Sequence, residues 1–262
     1  MQKSLKILVL NDGGKVIMAS IYLVRHGQAG FDKLDYDQLS DLGHQQGALV
    51  GQSLLARSVE AKLVVHGAMR RHRETFEGAQ KVWHAYGPII EEAGFNEFDS
   101  DDIIAAAHAE LNIPGYRQQG MGSSKLVQKT ALGAYLMKQK NPKKAFQALF
   151  STSIDRWISG ENDDDYIESW QQFTQRCRQA LFDTIEKANG RDVVVFSSGG
   201  PITAIIQHCL GLTDHYAFQV NWTLVNAGIT QLLYNSQGRI SLASCNEQEH
   251  LISSGKKFLT YR

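Results

Sequence analysis

The chain predicts an α/β fold built on a mostly parallel sheet, and three observations lead there. Short apolar runs at 20–24, 61–65 and 192–196 have the composition of buried strands. Each is followed by a stretch with helical spacing, and strand–helix alternation of this kind makes parallel sheets. All three runs end in residues suited to holding an anion: Arg25-His26-Gly27, His66-Gly67 and Ser197-Ser198-Gly199-Gly200. Ligand sites of open α/β sheets lie at those carboxyl ends.

Taken in order, Ser20-Ile21-Tyr22-Leu23-Val24 is the first strand, and it stops at Arg25-His26-Gly27. A polar loop runs to Asp37. Ser40 then suits the N-cap of a helix that carries Leu42, Leu49, Val50 and Leu54 on one face. The strand at 61–65 ends at His66-Gly67, where a second helix opens with Gly67, Arg71 and Thr75 spaced to share a face. From about Glu97 to Gly160 the rhythm changes. Helical stretches near 102–111, 127–138 and 143–157 are separated by Pro114-Gly115, a polar loop at 120–125 and Asn141-Pro142. They read as a helical insertion over the active end of the sheet.

A long helix is expected over 165–188, with Tyr166, Trp170, Phe173, Cys177, Leu181 and Ile185 as its buried stripe and Asn189-Gly190 closing it. The run at 192–196 is a central strand, and Pro201 suits the first position of the helix beyond it. Segments 229–234 and 239–244, joined by a turn at 235–238, form an antiparallel hairpin. Residues 1–19 read as an N-terminal extension or arm: Asn11-Asp12-Gly13-Gly14 offers hairpin-turn chemistry, and Met18 is an alternative start. Residues 20–262 form one domain with its insertion.

Composition narrows the function. Lys+Arg and Asp+Glu each number 27, so there is no global field to recruit nucleic acid or an anionic membrane. No stretch reaches the roughly 18 apolar residues of a membrane span. The apolar N-terminal run lacks a small-residue cleavage site. Cys177, Cys209 and Cys245 lie far apart, and their odd number argues against a disulfide framework, so reduced cytoplasmic thiols are expected. His44, His72, His84, His108, His208, His215 and His250 are scattered without metal-ligand spacing and read as surface or structural. No cofactor and no metal is implied.

The anion site is therefore local. Neutral imidazole at His26 can attack phosphorus, and the Arg25 guanidinium can hold two phosphoryl oxygens at once. The glycine-rich turn at Ser198-Gly199 offers free N–H groups at a helix N-terminus.

Here the chain resembles the histidine phosphatase superfamily, which includes the phosphoglycerate mutases, from Ile21 to about Leu251. Leu23-Val24-Arg25-His26-Gly27-Gln28-Ala29 carries most of the likeness. Leu39-Ser40-Asp41-Leu42-Gly43 is similar to the family's Leu-(Ser/Thr)-x-x-Gly element. Ala68-Met69-Arg70-Arg71-His72-Arg73-Glu74-Thr75 is similar to its second arginine helix, Ser-Pro-Leu-x-Arg-Ala-x-x-Thr. On that register Arg71 is the phosphate ligand, and Arg70 and Arg73 are solvated. The resemblance implies a three-layer α/β/α sandwich, mostly parallel, with an antiparallel edge hairpin and a helical cap inserted at about 100–160.

It also implies roles. His26 becomes a phosphohistidine with its other ring nitrogen held by a backbone carbonyl. Arg25 and Arg71 neutralise the dianion and lower the imidazole pKa. Glu97, in Gly94-Phe95-Asn96-Glu97-Phe98, protonates the leaving oxygen and later deprotonates water. Gln28 is a loop contact to phosphate. Asp32 lies where some relatives carry a phosphate-contacting asparagine, but a carboxylate there would repel a dianion.

One departure stands out. The family's second histidine, before the Gly-Gly of the late strand, is here Ser198. Removing one preorganised donor costs roughly 100- to 1000-fold in rate. His66, where the family usually has serine, either supplies the missing donor or simply packs at the end of its strand. The implied function is a phosphomonoester hydrolase acting on a small phosphorylated metabolite. A weakly active or inactive phospho-ligand-binding regulator is the alternative, and a mutase ranks lower because the Glu-Arg-His-Tyr segment is missing.

Overall fold

A computed structural model describes residues 8–11, 14–30, 37–107, 136–235 and 238–261. The expected helix at 127–138 falls almost entirely outside these residues, as do Asp32, His108 and the turn at 12–13. The chain divides into two compact units: Met1–Glu97 with Arg176–Arg262, and Phe98–Gln175.

The first unit holds a six-stranded sheet. Its strands are β3 (Ala19–Arg25), β4 (Leu63–His66), β5 (Ile89–Glu91), β6 (Val193–Ser197), β7 (Ile229–Tyr234) and β8 (Ile240–Glu247), in the order β5-β4-β6-β3-β7-β8. The pairings β5–β4, β4–β6 and β6–β3 are parallel, whereas β3–β7 and β7–β8 are antiparallel. N-terminal to it, β1 (Leu8–Asn11) and β2 (Gly14–Ile17) pair antiparallel as a separate two-stranded ribbon.

Side-chain alternation along the strands builds two cores. Ile21, Leu23, Leu63, Val65, Val193 and Val195 face Leu181 of α5 (Trp170–Ala188) and Ile202, Ile205 and Ile206 of α6 (Gly199–Leu210). Their neighbours Tyr22, Val24, Val64, Val194 and Phe196 point the other way. They meet Val50 and Leu54 of α1 (Asp41–Ala56), Phe76 and Ala79 of α2 (Arg70–Gln80) and Leu251 of α8 (Glu249–Ile252). A period of two under helices on both faces is what a buried sheet requires. The result is a three-layer α/β/α sandwich with an antiparallel edge, as the sequence implied.

Local chemistry sets most boundaries. Ser40 Oγ accepts from Gly43 N at 3.0 Å and starts α1. The 165–188 helix begins later than its apolar stripe suggests, at Trp170. Ser169 Oγ accepts from Gln172 N at 3.3 Å while Gln172 Oε1 accepts from Ser169 N at 2.9 Å, a reciprocal capping box. Tyr166 is buried but lies before the helix. Pro201 occupies the third position of α6, not the first; its missing N–H is still one the first turn leaves unbonded. Edge strand β5 and helix α7 (Asp214–Thr223) have no counterpart in the periodicity, β5 because it is three residues long and largely exposed.

The second unit holds α3 (Ser100–Ala107), α4 (Pro142–Ser159) and the start of α5. Its centre is aromatic. Trp157 packs on Phe98, Trp170 and Phe173 with ring centres 5.1–5.6 Å apart, and its Nε1 donates to Glu168 O at 2.9 Å. Asn141 caps α4 by accepting from Lys144 N at 3.1 Å, with Pro142 in the first turn.

Candidate active site

His26 follows the last residue of β3 and is buried. Three segments hold its backbone. Its N–H donates to Ser197 O at 2.8 Å, and its carbonyl accepts from Ala227 N at 3.1 Å and Asn226 Nδ2 at 3.4 Å. Gly27 N donates to Thr75 Oγ1 at 3.0 Å, and Thr75 Oγ1 donates in turn to Arg71 O at 2.7 Å. Glycine is required at 27 because a Cβ there would stand 2.4 Å from Gly43 O. The Arg-His-Gly motif and the Gly43 element are thus two sides of one backbone contact.

The His26 ring is oriented by Nδ1, which lies 2.7 Å from Gly27 O. A carbonyl only accepts, so Nδ1 carries the proton and Nε2 presents its lone pair. Burial first, and then the charges of Arg71 and Arg25 and the ring of His72, hold this imidazole well below its ordinary 6.5. Desolvation, rather than the two arginines, is the leading cause.

Arg25 is buried, and its Nη1 donates to Leu224 O. Gly199 lies against it, since a Cβ there would be 3.6 Å from Arg25 Nε. Arg71 reaches the same region from α2. Its Nη1 pairs with Asp37 Oδ1 at 2.8 Å, and among the described residues its Nε is a buried donor with no hydrogen-bond partner. Asp37 also accepts from Arg70 N at 2.8 Å, so it caps α2 and braces the arginine together. Arg70 pairs with Glu74 at 2.6 Å and Arg73 is exposed, in keeping with Arg71 as the inward arginine.

Glu97 is buried, and its Oε1 accepts from Gly200 N at 3.0 Å. The helix N-terminus that the sequence offers to a ligand anion thus already holds the Glu97 carboxyl group. Gln28 is half-buried, and its Oε1 accepts from Ser40 Oγ at 2.8 Å, tying it to the start of α1.

Ser198 and the histidines depart most from expectation. Ser198 is the N-cap residue of α6, yet its side chain makes no capping bond. Its Oγ lies 2.6 Å from Nε2 of His72. His72 is not one of the scattered surface histidines; it is wholly buried, with its ring centre 5.9 Å from that of His26. His66 ends β4, its Nδ1 2.9 Å from Gly67 O and its ring stacked on Phe76. The imidazole that meets Ser198 is therefore His72 and not His66. One signal in the sequence does mark it: a histidine stands where the resembling motif has alanine, one residue after Arg71.

The segment Leu224–Gly228 carries no motif, yet it belongs to the site. It accepts from Arg25 N through Gly228 O at 3.0 Å and donates to the His26 carbonyl, with Ala227 held at φ +59°. A non-glycine residue at positive φ is strained and persists only where its surroundings over-determine it. Here Asn226 accepts from Thr260 Oγ1 at 3.0 Å, and Gln46 Nε2 donates to Thr260 Oγ1 at 2.8 Å.

Stability should record the neutral rings. Burial, then Arg71 and His66, keeps His72 well below 6.5 as well. Below about pH 6.5 the unfolded chain binds protons that the folded one refuses. This contribution is complete above that pH and is lost as pH falls, by roughly 1 kcal/mol per unit per ring. Urea midpoints should drop between pH 7.5 and 5.5; equal midpoints would mean that both rings are free to charge in place.

A buried histidine with one nitrogen committed and the other presented, flanked by two buried arginines and a carboxylate, suits transfer of a phosphoryl group. Among the described residues no cluster of three or more His, Cys, Asp or Glu is arranged to hold a metal ion, and no helix is long and apolar enough to cross a membrane.

Solved structures share the fold at low identity. A phosphoglycerate mutase from Bacillus anthracis matches with TM-score 0.58 and 15% identity, over 90% of this chain and 96% of its own. A phosphoserine phosphatase mutant from Entamoeba histolytica, in complex with phosphoserine, matches with TM-score 0.57 and 17% identity, over 89% and 99%. A mycobacterial glucosyl-3-phosphoglycerate phosphatase matches with TM-score 0.55 and 17% identity, over 88% and 99%. No curated protein sequence matches the chain. The model of the histidine phosphatase superfamily (branch 1) matches residues 21–113 and 134–247, a span that contains His26, Arg71, Glu97 and Ser198. The chain belongs to the histidine phosphatase superfamily.

Proposed function

We propose that this protein is a phosphomonoester hydrolase that works through a phosphohistidine at His26 on a small phosphorylated metabolite. The observation that carries the reading is the committed tautomer: Nδ1 on Gly27 O at 2.7 Å leaves Nε2 as a buried nucleophile beside Arg25 and Arg71.

In the first step His26 Nε2 attacks phosphorus and the P–O ester bond breaks. Its electron pair goes to the leaving oxygen, which takes a proton from the Glu97 carboxyl and departs as the alcohol. In the second step water attacks phosphorus as the Glu97 carboxylate removes its proton. The P–N bond breaks, inorganic phosphate leaves, and His26 is restored. Arg25 and Arg71 Nε hold the phosphoryl oxygens and offset the spreading charge. The three free cysteines support a reducing, cytoplasmic setting.

Ser198 favours a second reading, a weakly active or inactive phospho-ligand-binding regulator. The two part on one experiment: incubation with p-nitrophenyl phosphate and a panel of phosphorylated metabolites, with acid quenching to find labelled enzyme. Turnover with acid-labile phosphate on His26 is expected. Saturable binding of a phosphorylated ligand with neither turnover nor labelled histidine would replace the hydrolase with the regulator.

A further inference from the structure

His72 has no part in the chemistry above, yet its setting is specific. The ring is wholly buried and lies over Gly67, where a Cβ would stand 2.2 Å from Nδ1. Nε2 is 2.6 Å from Ser198 Oγ, and Nδ1 is buried with no hydrogen-bond partner among the described residues. The unpartnered atom settles the direction of the bond. If the proton sat on Nδ1, the ring would hold a buried orphan N–H, which folded proteins rarely tolerate. With the proton on Nε2, the orphan is only a lone pair, and Nε2–H donates to Ser198 Oγ. The serine then has its own O–H left to donate. Arg71 on the same helix, His66 on β4 and His26 after β3 are the titratable groups around the ring, and burial with Arg71 and His66 keeps it neutral near pH 7.

From this geometry we infer that His72 is a positioning residue that holds the Ser198 hydroxyl with its proton turned toward the phosphoryl group, so that serine and histidine together act as one neutral donor beside His26. The inference rests on phosphoryl chemistry at His26 but asks for a particular division of labour. His72 does not touch the phosphoryl group; Ser198 does. Gly67 is part of the device, because only a residue without a side chain leaves the ring its place.

Binding of inorganic phosphate to the full chain, measured by calorimetry, tests this together with kcat/KM for p-nitrophenyl phosphate. Ser198→Ala and His72→Ala should each weaken phosphate by about 10- to 100-fold, the loss of one hydrogen bond to a charged group. The double variant should be no weaker than the worse single one, because the two side chains form one path. His72→Gln, whose amide N–H can reach the place of Nε2–H, should stay within a few-fold of the parent. Gly67→Ala should behave like His72→Ala. Losses that multiply in the double variant would overturn the inference. So would a folded His72→Gln as weak as His72→Ala, or an unchanged His72→Ala. If phosphate binding follows the expected pattern while p-nitrophenyl phosphate is not turned over, the hydrolase fails and the serine–histidine donor stands. Turnover with losses that multiply would do the reverse, keeping the hydrolase and removing the paired donor.

Discussion

Replacing His26 by alanine should remove turnover of p-nitrophenyl phosphate, by about 10⁴-fold or more. Loss of a nucleophile whose partners act as a unit costs about a million-fold in the best-studied case. Arg25, Arg71 and Glu97 would remain, but none offers an unprotonated nitrogen for a covalent intermediate. Phosphate should still bind to His26→Ala, because the two guanidinium groups are untouched. The pH profile is a second readout. The neutral ring is the reactive one, and burial with Arg71 and Arg25 holds it well below 6.5. The rate governed by His26 should therefore persist down through pH 6.5 and fall only when the pH reaches the lowered value. A limb centred on 6.5 would show that the ring titrates as if solvated. Residual activity of His26→Ala close to the parent's would remove the phosphohistidine altogether.

Replacing Glu97 by glutamine should have the next largest effect, and it should depend on the leaving group. Glutamine keeps an oxygen for Gly200 N, so the cap on α6 survives while the transferable proton is gone. General acid catalysis contributes about 10²- to 10⁴-fold when the leaving group needs a proton. Alkyl phosphates should lose that much in kcat. p-Nitrophenolate leaves without help, so the first step should be nearly normal and only attack by water should slow. The phosphoenzyme should then accumulate, with a burst of p-nitrophenol equal to the enzyme present. An equal loss on both substrates without a burst would make Glu97 a structural cap and send the search for the acid elsewhere.

The sequence exposes whatever its neighbours in the chain determine. The strand before Arg25-His26 is visible because four apolar side chains in a row, Ile21 to Val24, suit a strand buried on both faces. Arg71 separates from Arg70 and Arg73 because Thr75 lies one helical turn beyond it, and Thr75 Oγ1 does donate to Arg71 O. The later start of α5 is also legible, in Ser169 and Gln172, but the apolar stripe runs past that capping box and masks it.

His72 is not legible in this way. Its spacing from Phe76 and Ala79 turns it inward, but the Ser198 hydroxyl it meets is 126 residues further along the chain, and nothing near it in sequence names that partner. The parallel pairing of β4 with β6, which sets His66 beside Phe196, decides that the helix after β4 and the turn after β6 arrive together. The same long-range assembly puts Glu97 on Gly200 and the Leu224–Gly228 segment under Arg25 and His26.

By itself, then, the sequence determined every strand of the sheet but β5, most helices, the histidine at a strand end, and the arginine on α2 that turns inward. Those follow from short-range forces: side-chain period, caps, and the room a glycine leaves. Tertiary structure alone decided which histidine stands by Ser198 and which side chain occupies the N-terminus of α6. Such contacts depend on sheet register and on burial, and both exist only once distant segments have packed together.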